Sequence, residues 1–249
     1  MEPKTPVVVG ILGGLGPWAT LDLYRRILEL TPAREDQDHL HVIIDSNPHV
    51  PDRTAAILGE GESPMPALAA GLRRLADAGA GFIAIPCNTA HHWIEELVRQ
   101  SPVPVVDMVA EAVAAVQALG SVTCVGLLAT TGTIRSGLYR RRFEERGVAM
   151  VVPDEPVQAD AVMGAIFGPT GIKVGHMNEA NGRLLKGAAD ALVAAGAQAI
   201  IAGCTEIPLV LRPDDVSVPL IDTQDCLARA VVRRAGIDIG DGEPARDKE

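Results

Sequence analysis

Phe82-Ile-Ala-Ile-Pro-Cys87-Asn-Thr89 and Ala199-Ile-Ile-Ala-Gly-Cys204-Thr-Glu206 follow the same local plan twice. In each, an apolar run of buried-strand length ends at a cysteine, and small polar residues suited to starting a helix come next. Two further pairs keep the same order at nearly the same offset. They are Gly10-Ile-Leu-Gly-Gly-Leu-Gly16 with Gly126-Leu-Leu-Ala-Thr-Thr-Gly132, and Val103-Pro-Val-Val-Asp107 with Val218-Pro-Leu-Ile-Asp222. Three ordered matches predict an internal duplication.

Apolar β-branched runs alternate with helical-period segments along the chain, which is the pattern of an α/β fold. Strands are expected at Val7–Leu12, His41–Asp45, Gly81–Pro86, Pro104–Val106, Thr123–Leu128, Ala149–Val152, Gln198–Ala202 and Val218–Ile221. Helices are expected near 17–30, 64–78, 89–99, 108–119, 134–146, 156–166, 176–195 and 223–235. The fold class is therefore α/β, with two pseudosymmetric domains, each a mainly parallel sheet flanked by helices, and the active site in the cleft between them. The N-terminal domain is expected over residues 1–108, with 222–236 returning to it. The C-terminal domain is expected over 109–221 and a flexible polar tail over 237–249.

Composition excludes several classes of function. The 249 residues are 47% hydrophobic and 22% charged, which suits a packed globular protein. A formal net charge of −10 opposes binding to nucleic acid or to an anionic membrane surface. Gly, Pro and charges interrupt every apolar run before transmembrane length. The opening Met1-Glu-Pro-Lys-Thr-Pro lacks the order of a secretory signal, so a cytoplasmic protein with reduced thiols is expected. Cys87, Cys124, Cys204 and Cys226 show no Cys-x-x-Cys spacing, and His91 and His92 are adjacent, pointing about 100° apart on a helix. Neither set predicts a metal site. No Gly-x-Gly-x-x-Gly fits Gly10–Gly16 and no Gly-Lys pair occurs, so nucleotide cofactors are not expected.

In open parallel sheets, ligands bind beyond the carboxyl ends of the strands, where Cys87 and Cys204 are expected to sit. A helix N-terminus behind each sulfur would lower its pKa from roughly 8.5 towards neutrality and make the thiolate a usable base. Two like groups on opposite sides of one carbon are what stereoinversion requires, one removing a proton and the other returning one. Taken alone, each cysteine reads more readily as a small core residue, but the duplicated strand-end placement and the adjoining Asn and Thr reverse that preference. Cys124 and Cys226 lack that placement and read as core.

The segments Gly10-Ile-Leu-Gly-Gly-Leu-Gly-Pro-Trp-Ala-Thr20, Asn47-Pro-His-Val-Pro-Asp-Arg-Thr54, Pro86-Cys-Asn-Thr-Ala-His91, Gly126-Leu-Leu-Ala-Thr-Thr-Gly-Thr133 and Gly203-Cys-Thr-Glu-Ile-Pro-Leu209 together resemble the aspartate/glutamate racemase family, in particular its aspartate racemase branch. The resemblance implies a cofactor-independent amino-acid racemase, usually a homodimer, with Cys87 and Cys204 as its catalytic pair. The glutamate racemase branch would carry an Asp-Ser-Gly segment near its start and a His after its second Cys-Thr. Here Gly13-Gly-Leu-Gly16 and Cys204-Thr205-Glu206 stand instead.

The resemblance also places Arg53 and Lys173 on the side-chain carboxylate of a small dicarboxylic substrate, with Lys173 in the Gly-rich run Phe167-Gly-Pro-Thr-Gly-Ile-Lys-Val-Gly175. Guanidinium binds carboxylate through two parallel hydrogen bonds, and ammonium adds a compact charge. Asn88, Thr89 and Thr205 are candidates for the α-carboxylate, beside the helix starts. Thr130 and Thr133 are further candidates, and Glu206 is expected to receive the ammonium group. Two alternatives keep these residues: a maleate-type cis-trans isomerase with a nucleophilic cysteine, and a non-catalytic binder of acidic amino acids.

Overall fold

The computed structural model describes residues 7–239. Its first half runs β1 (Val9–Gly13), α1 (Pro17–Leu30), β2 (Val42–Ser46), α2 (Arg53–Leu58), α3 (Met65–Asp77), β3 (Phe82–Ala84), α4 (Ile94–Gln100) and α5 (Met108–Ala118). β1 is buried at every position and lies between two parallel neighbours, in the order β2-β1-β3. The strand expected at Pro104–Val106 contributes one bridge, Val105 to Ile83. Proline has no N–H to donate, so only the Pro104 carbonyl and the Val106 amide reach Ile83, each at 2.9 Å.

The second half runs β4 (Cys124–Leu128), α6 (Thr131–Arg135), α7 (Leu138–Glu144), β5 (Ala149–Val151), α8 (Gly164–Phe167), α9 (Glu179–Ala194), β6 (Ala199–Ala202), β7 (Leu220–Asp222) and α10 (Thr223–Arg234). Its sheet is wholly parallel in the order β5-β4-β6-β7. The first half repeats that order, with Val105 in the place of β7. Asp107 and Asp222, paired by the sequence repeat, do the same work in both halves. Each caps the following helix by accepting two backbone N–H bonds, from Val109 and Ala110 and from Gln224 and Asp225.

Each sheet buries both faces under helices, as parallel sheets do. One face of the first sheet packs Val9 and Ile11 against Leu23 and Ile27 of α1 and Leu227, Ala228 and Val231 of α10. The last helix therefore covers the first sheet. Each of these Leu, Ile and Val side chains contributes roughly 1.5–3 kcal/mol on full burial. Ile237 and Ile239, placed in the expected tail, also pack on this core, so the apolar contacts run past the end of α10. Residues 240–249 of that tail lie outside the described residues.

Three helices depart from expectation. The 134–146 segment is split at Gly137, whose φ of 65° is open to glycine at little cost. The 156–166 segment is largely a π-helix, Val157–Met163, continued by α8. The helix expected over 176–195 begins at Glu179, where the Asn178 side chain accepts from the Asn181 amide. α2 was not expected, since six residues are too few to show a period. Asp52 starts it by accepting from the Ala55 amide, and Gly59 ends it at a φ of 77°. Among the described residues, no helix is long and apolar enough to cross a membrane, and no cluster of side chains suits a metal ion.

Candidate active site

β3 and β6 both end just before their cysteines, so the two strand ends deliver Cys87 and Cys204 to one pocket. Of the ten residues selected from the sequence, all but Thr133 line it; Asp52, Thr54, Leu15 and Phe167 complete the wall. Cys87 and Cys204 are buried, at 7% and 5% exposure. Arg53 and the turn after Cys87 come from the first half, while Thr130, Lys173 and the turn after Cys204 come from the second.

Glu206 is the hub of the charged groups. Its Oε1 accepts from Lys173 Nζ at 2.6 Å, and its Oε2 accepts from Cys204 Sγ at 3.0 Å and Thr205 Oγ1 at 3.2 Å. Burial alone would push the Glu206 carboxyl up, but Lys173 and the thiol and hydroxyl donors hold it below the usual carboxylate range. Burial likewise opposes the Lys173 charge, and Glu206 and the two cysteines outweigh it, raising the lysine. Both partners thus stay ionised in the pocket. The expectation that Glu206 waits free for an ammonium group changes accordingly: its carboxylate is already engaged on both oxygens.

The expected lowering of the thiol is reversed at Cys204. Burial, then the adjacent Glu206 carboxylate, push it well above the ordinary thiol value, and Lys173 offsets this only in part. The anticipated helix dipole is small because the segment behind Cys204 is one 3-10 turn, Ile207–Leu209, which Pro208 helps to start. Behind Cys87 the chain makes a 3-10 turn, Thr89–Trp93, before α4 begins at Ile94. A short turn still presents its first N–H groups without intrahelical partners.

Arg53 is the first residue of α2, and its guanidinium is held by backbone carbonyls. Nη1 donates to Val50 and Pro51 at 3.0 Å each, and Nη2 donates to Leu15. Its Nε is buried with no partner in the protein. A buried charged donor of this kind is costly to leave unmet. The Leu15 carbonyl also accepts from Lys173 Nζ at 3.1 Å, so one backbone oxygen joins both cations. Gly16 allows this closeness: a Cβ there would lie 2.2 Å from Glu206 Oε1 and 3.3 Å from Lys173 Nζ.

Asn88 is pinned at both ends, donating from Nδ2 to Thr223 Oγ1 at 3.0 Å and accepting from the Tyr139 hydroxyl. Thr89, Thr130 and Thr133 form a closed triangle of hydroxyls, with separations of 3.1, 2.9 and 3.1 Å, across the two halves. Thr133 thus sits behind the pocket and steadies Thr89. His91 lies beneath Cys87, with Nδ1 2.9 Å from the Cys87 carbonyl and Nε2 accepting from the Met108 amide at 3.1 Å. Burial lowers His91, so it is neutral, with Nδ1–H donating to Cys87. Cys226 lies on α10 away from the pocket, its thiol pushed up to about 12 by burial and by Asp222 and Asp225.

Leu15, Tyr139, Thr223 and His91 were not singled out from sequence as parts of this site. A backbone carbonyl leaves no mark in residue type, and Tyr139 and Thr223 act from distant helices. His91 alone carried a signal, four residues after Cys87 and hence on its side of a helical turn.

Residues 12–231 match the Asp/Glu/Hydantoin racemase family. The chain is similar to the broad specificity amino-acid racemase RacX of Bacillus subtilis, 29% identical over 90% of this chain and 96% of the relative. Among solved structures, the aspartate racemase of Picrophilus torridus is 27% identical with a TM-score of 0.81, covering 92% of this chain and 94% of that one. An aspartate racemase homologue from Pyrococcus horikoshii is 25% identical with a TM-score of 0.74, covering 94% of this chain and all of that one. The match to the family spans both sheets and the turns that carry both cysteines, and the chain belongs to the Asp/Glu/Hydantoin racemase family as one of its amino-acid racemases.

Proposed function

We propose that the chain interconverts L- and D-aspartate, and acts on glutamate by the same means, through proton transfer between the α-carbon and the thiols of Cys87 and Cys204. The observation that carries this reading is that duplicated strand ends bring the two sulfurs to one pocket which also holds Lys173 and Arg53. One sulfur removes the α-proton and the other returns one from the opposite face. The carbanion's charge spreads onto the α-carboxylate, so the N–H groups of the turns after each cysteine bind the transition state more strongly than the ground state. Lys173 and the unpartnered Nε of Arg53 suit the side-chain carboxylate. Asn88, Thr89, Thr130 and Thr205 form the rest of the cradle, with Thr133 behind them.

Relatives support both parts of the substrate assignment: one is named an aspartate racemase and another a broad specificity racemase. The reading takes residues 1–108 with 222–236 as one unit and 109–221 as the other, supported by the packing of α10 on the first sheet. It also includes a homodimer, on the family resemblance.

Arg53→Ala tests the substrate class. Losing a charge-assisted hydrogen bond, worth about 1.5–3 kcal/mol, is expected to raise KM for L-aspartate tenfold or more and to leave L-alanine turnover nearly unchanged. Chiral chromatography of both reactions reads this out. Equal losses on both substrates would remove Arg53 from recognition of the acidic side chain.

A further inference from the structure

The two halves repeat each other, yet their thiols do not have the same neighbours. Cys204 Sγ donates to the Glu206 carboxylate at 3.0 Å, and that carboxylate is fixed by Lys173 at 2.6 Å. The matching place after Cys87 and Asn88 holds Thr89, whose hydroxyl is taken up with Thr130 and Thr133. The pseudosymmetric pair is therefore electrostatically unequal.

We propose that Glu206 holds Cys204 as the proton-bearing sulfur of the resting enzyme, so that Cys87 begins each cycle as the base and one enantiomer meets the enzyme in its ready form. The inference rests on the two-thiol reading. In the forward cycle, Cys87 Sγ takes the α-proton and the C–H electron pair passes into the carboxylate-stabilised carbanion. The carbanion then takes the proton of Cys204 S–H from the opposite face, and that bond's pair stays on Cys204. The product form thus has a thiolate beside the Glu206 carboxylate, a like-charge contact that is unfavourable in a buried site. After release, Cys87 loses its proton to water and Cys204 regains one, restoring the resting form. Burial and Glu206 both raise Cys204, in accord with this preference.

Interconverting enantiomers have an equilibrium constant of unity, so kcat/KM must be equal in the two directions whatever the enzyme does. The asymmetry can appear only as a split. The enantiomer whose hydrogen faces Cys87 should show the lower KM and the lower kcat, and its mirror image the higher of both. Glu206→Gln keeps the shape of the side chain and removes its charge, so the two sets of constants should approach one another.

A direct measurement needs no turnover: the pH dependence of Cys204 alkylation by iodoacetamide, followed by peptide mass spectrometry on the full chain. Glu206→Gln is expected to move the Cys204 midpoint down by about one pH unit or more, since a like charge at hydrogen-bond distance is lost. Lys173→Met should move it up, because a nearby cation is lost. Shifts in opposite directions distinguish this from loosened structure, which would return both variants to the ordinary thiol range. An unmoved midpoint in Glu206→Gln overturns the inference. If the midpoints move as stated and no amino acid is racemised, the role of Glu206 stands and the racemase reading fails. If aspartate is racemised and the kcat and KM split is untouched by Glu206→Gln, the reading stands and the inference fails.

Discussion

Cys87→Ser and Cys204→Ser are each expected to slow racemisation by about 10²–10⁴-fold, the contribution of a positioned acid or base group. Serine keeps the size and hydrogen-bonding capacity of the side chain. Its hydroxyl is a far weaker acid, and its conjugate base is not populated near neutral pH. The two losses should be similar in size, because inversion requires both groups and removing either one breaks the same sequence. Residual behaviour should differ between them. Each single variant keeps one sulfur, which can remove and return a proton on its own face, so each should exchange the α-hydrogen of one enantiomer with solvent without inverting it. The two variants should select opposite enantiomers. Chiral chromatography and proton NMR in deuterated water give both readings, and near-normal turnover in either variant would refute the assignment of two thiols.

Lys173→Met is expected to produce the largest change in stability. It leaves the Glu206 carboxylate, 2% exposed, without its counter-ion in the pocket. Breaking a buried pair from one side costs about 3–5 kcal/mol, and the 19% exposure of Lys173 favours the lower end of that range. The pH dependence carries the more specific sign. In the wild type, Glu206 is held below its unfolded value, so its contribution is present above that value and is lost as pH falls through the folded one. In the variant, burial is no longer offset by Lys173 and the carboxyl rises above its unfolded value. Stability should then increase as pH falls and Glu206 takes up a proton. Urea denaturation at about pH 7.5 and about pH 5 should therefore show a smaller deficit at the lower pH. A deficit that is constant or grows on acidification would show that the ion pair does not govern the site.

What the sequence disclosed follows from which features are written in residue type. The duplication was legible because strand-end cysteines and Val-Pro-x-x-Asp segments recur in order, while the capping by Asp107 and Asp222 emerges only in the structure. The matching order of the first three strands in each sheet follows from that repeat, and the fourth place is a strand in one half and a single bridge in the other. α2 was missed because a six-residue helix has no measurable period, although Asp52 and Gly59 mark its ends. The Pro104–Val106 strand was overcalled because its apolar character outweighed the missing proline N–H.

At the site, residue types identified the wall, while partnerships were hidden. Glu206 was assigned to a substrate ammonium because its partner Lys173 lies 33 residues away in a Gly-rich segment. The effect on Cys204 was misjudged in sign for the same reason. Local sequence suggested a helix N-terminus, while the structure supplies a carboxylate and burial, which act in the opposite direction. The Leu15 carbonyl partner of Arg53 and its buried, unpartnered Nε emerge only when Leu15 and the start of α2 meet.

The most direct test is the fate of the α-hydrogen when L-aspartate is incubated with the wild-type protein in deuterated water and sampled at low conversion. If the two thiols act from opposite sides of the carbon, every D-aspartate molecule formed should carry deuterium at Cα, while the remaining L-aspartate keeps almost all of its protium. Protium retained in the product, or deuterium entering the unreacted L-aspartate as fast as D-aspartate forms, would mean that a single group serves both faces.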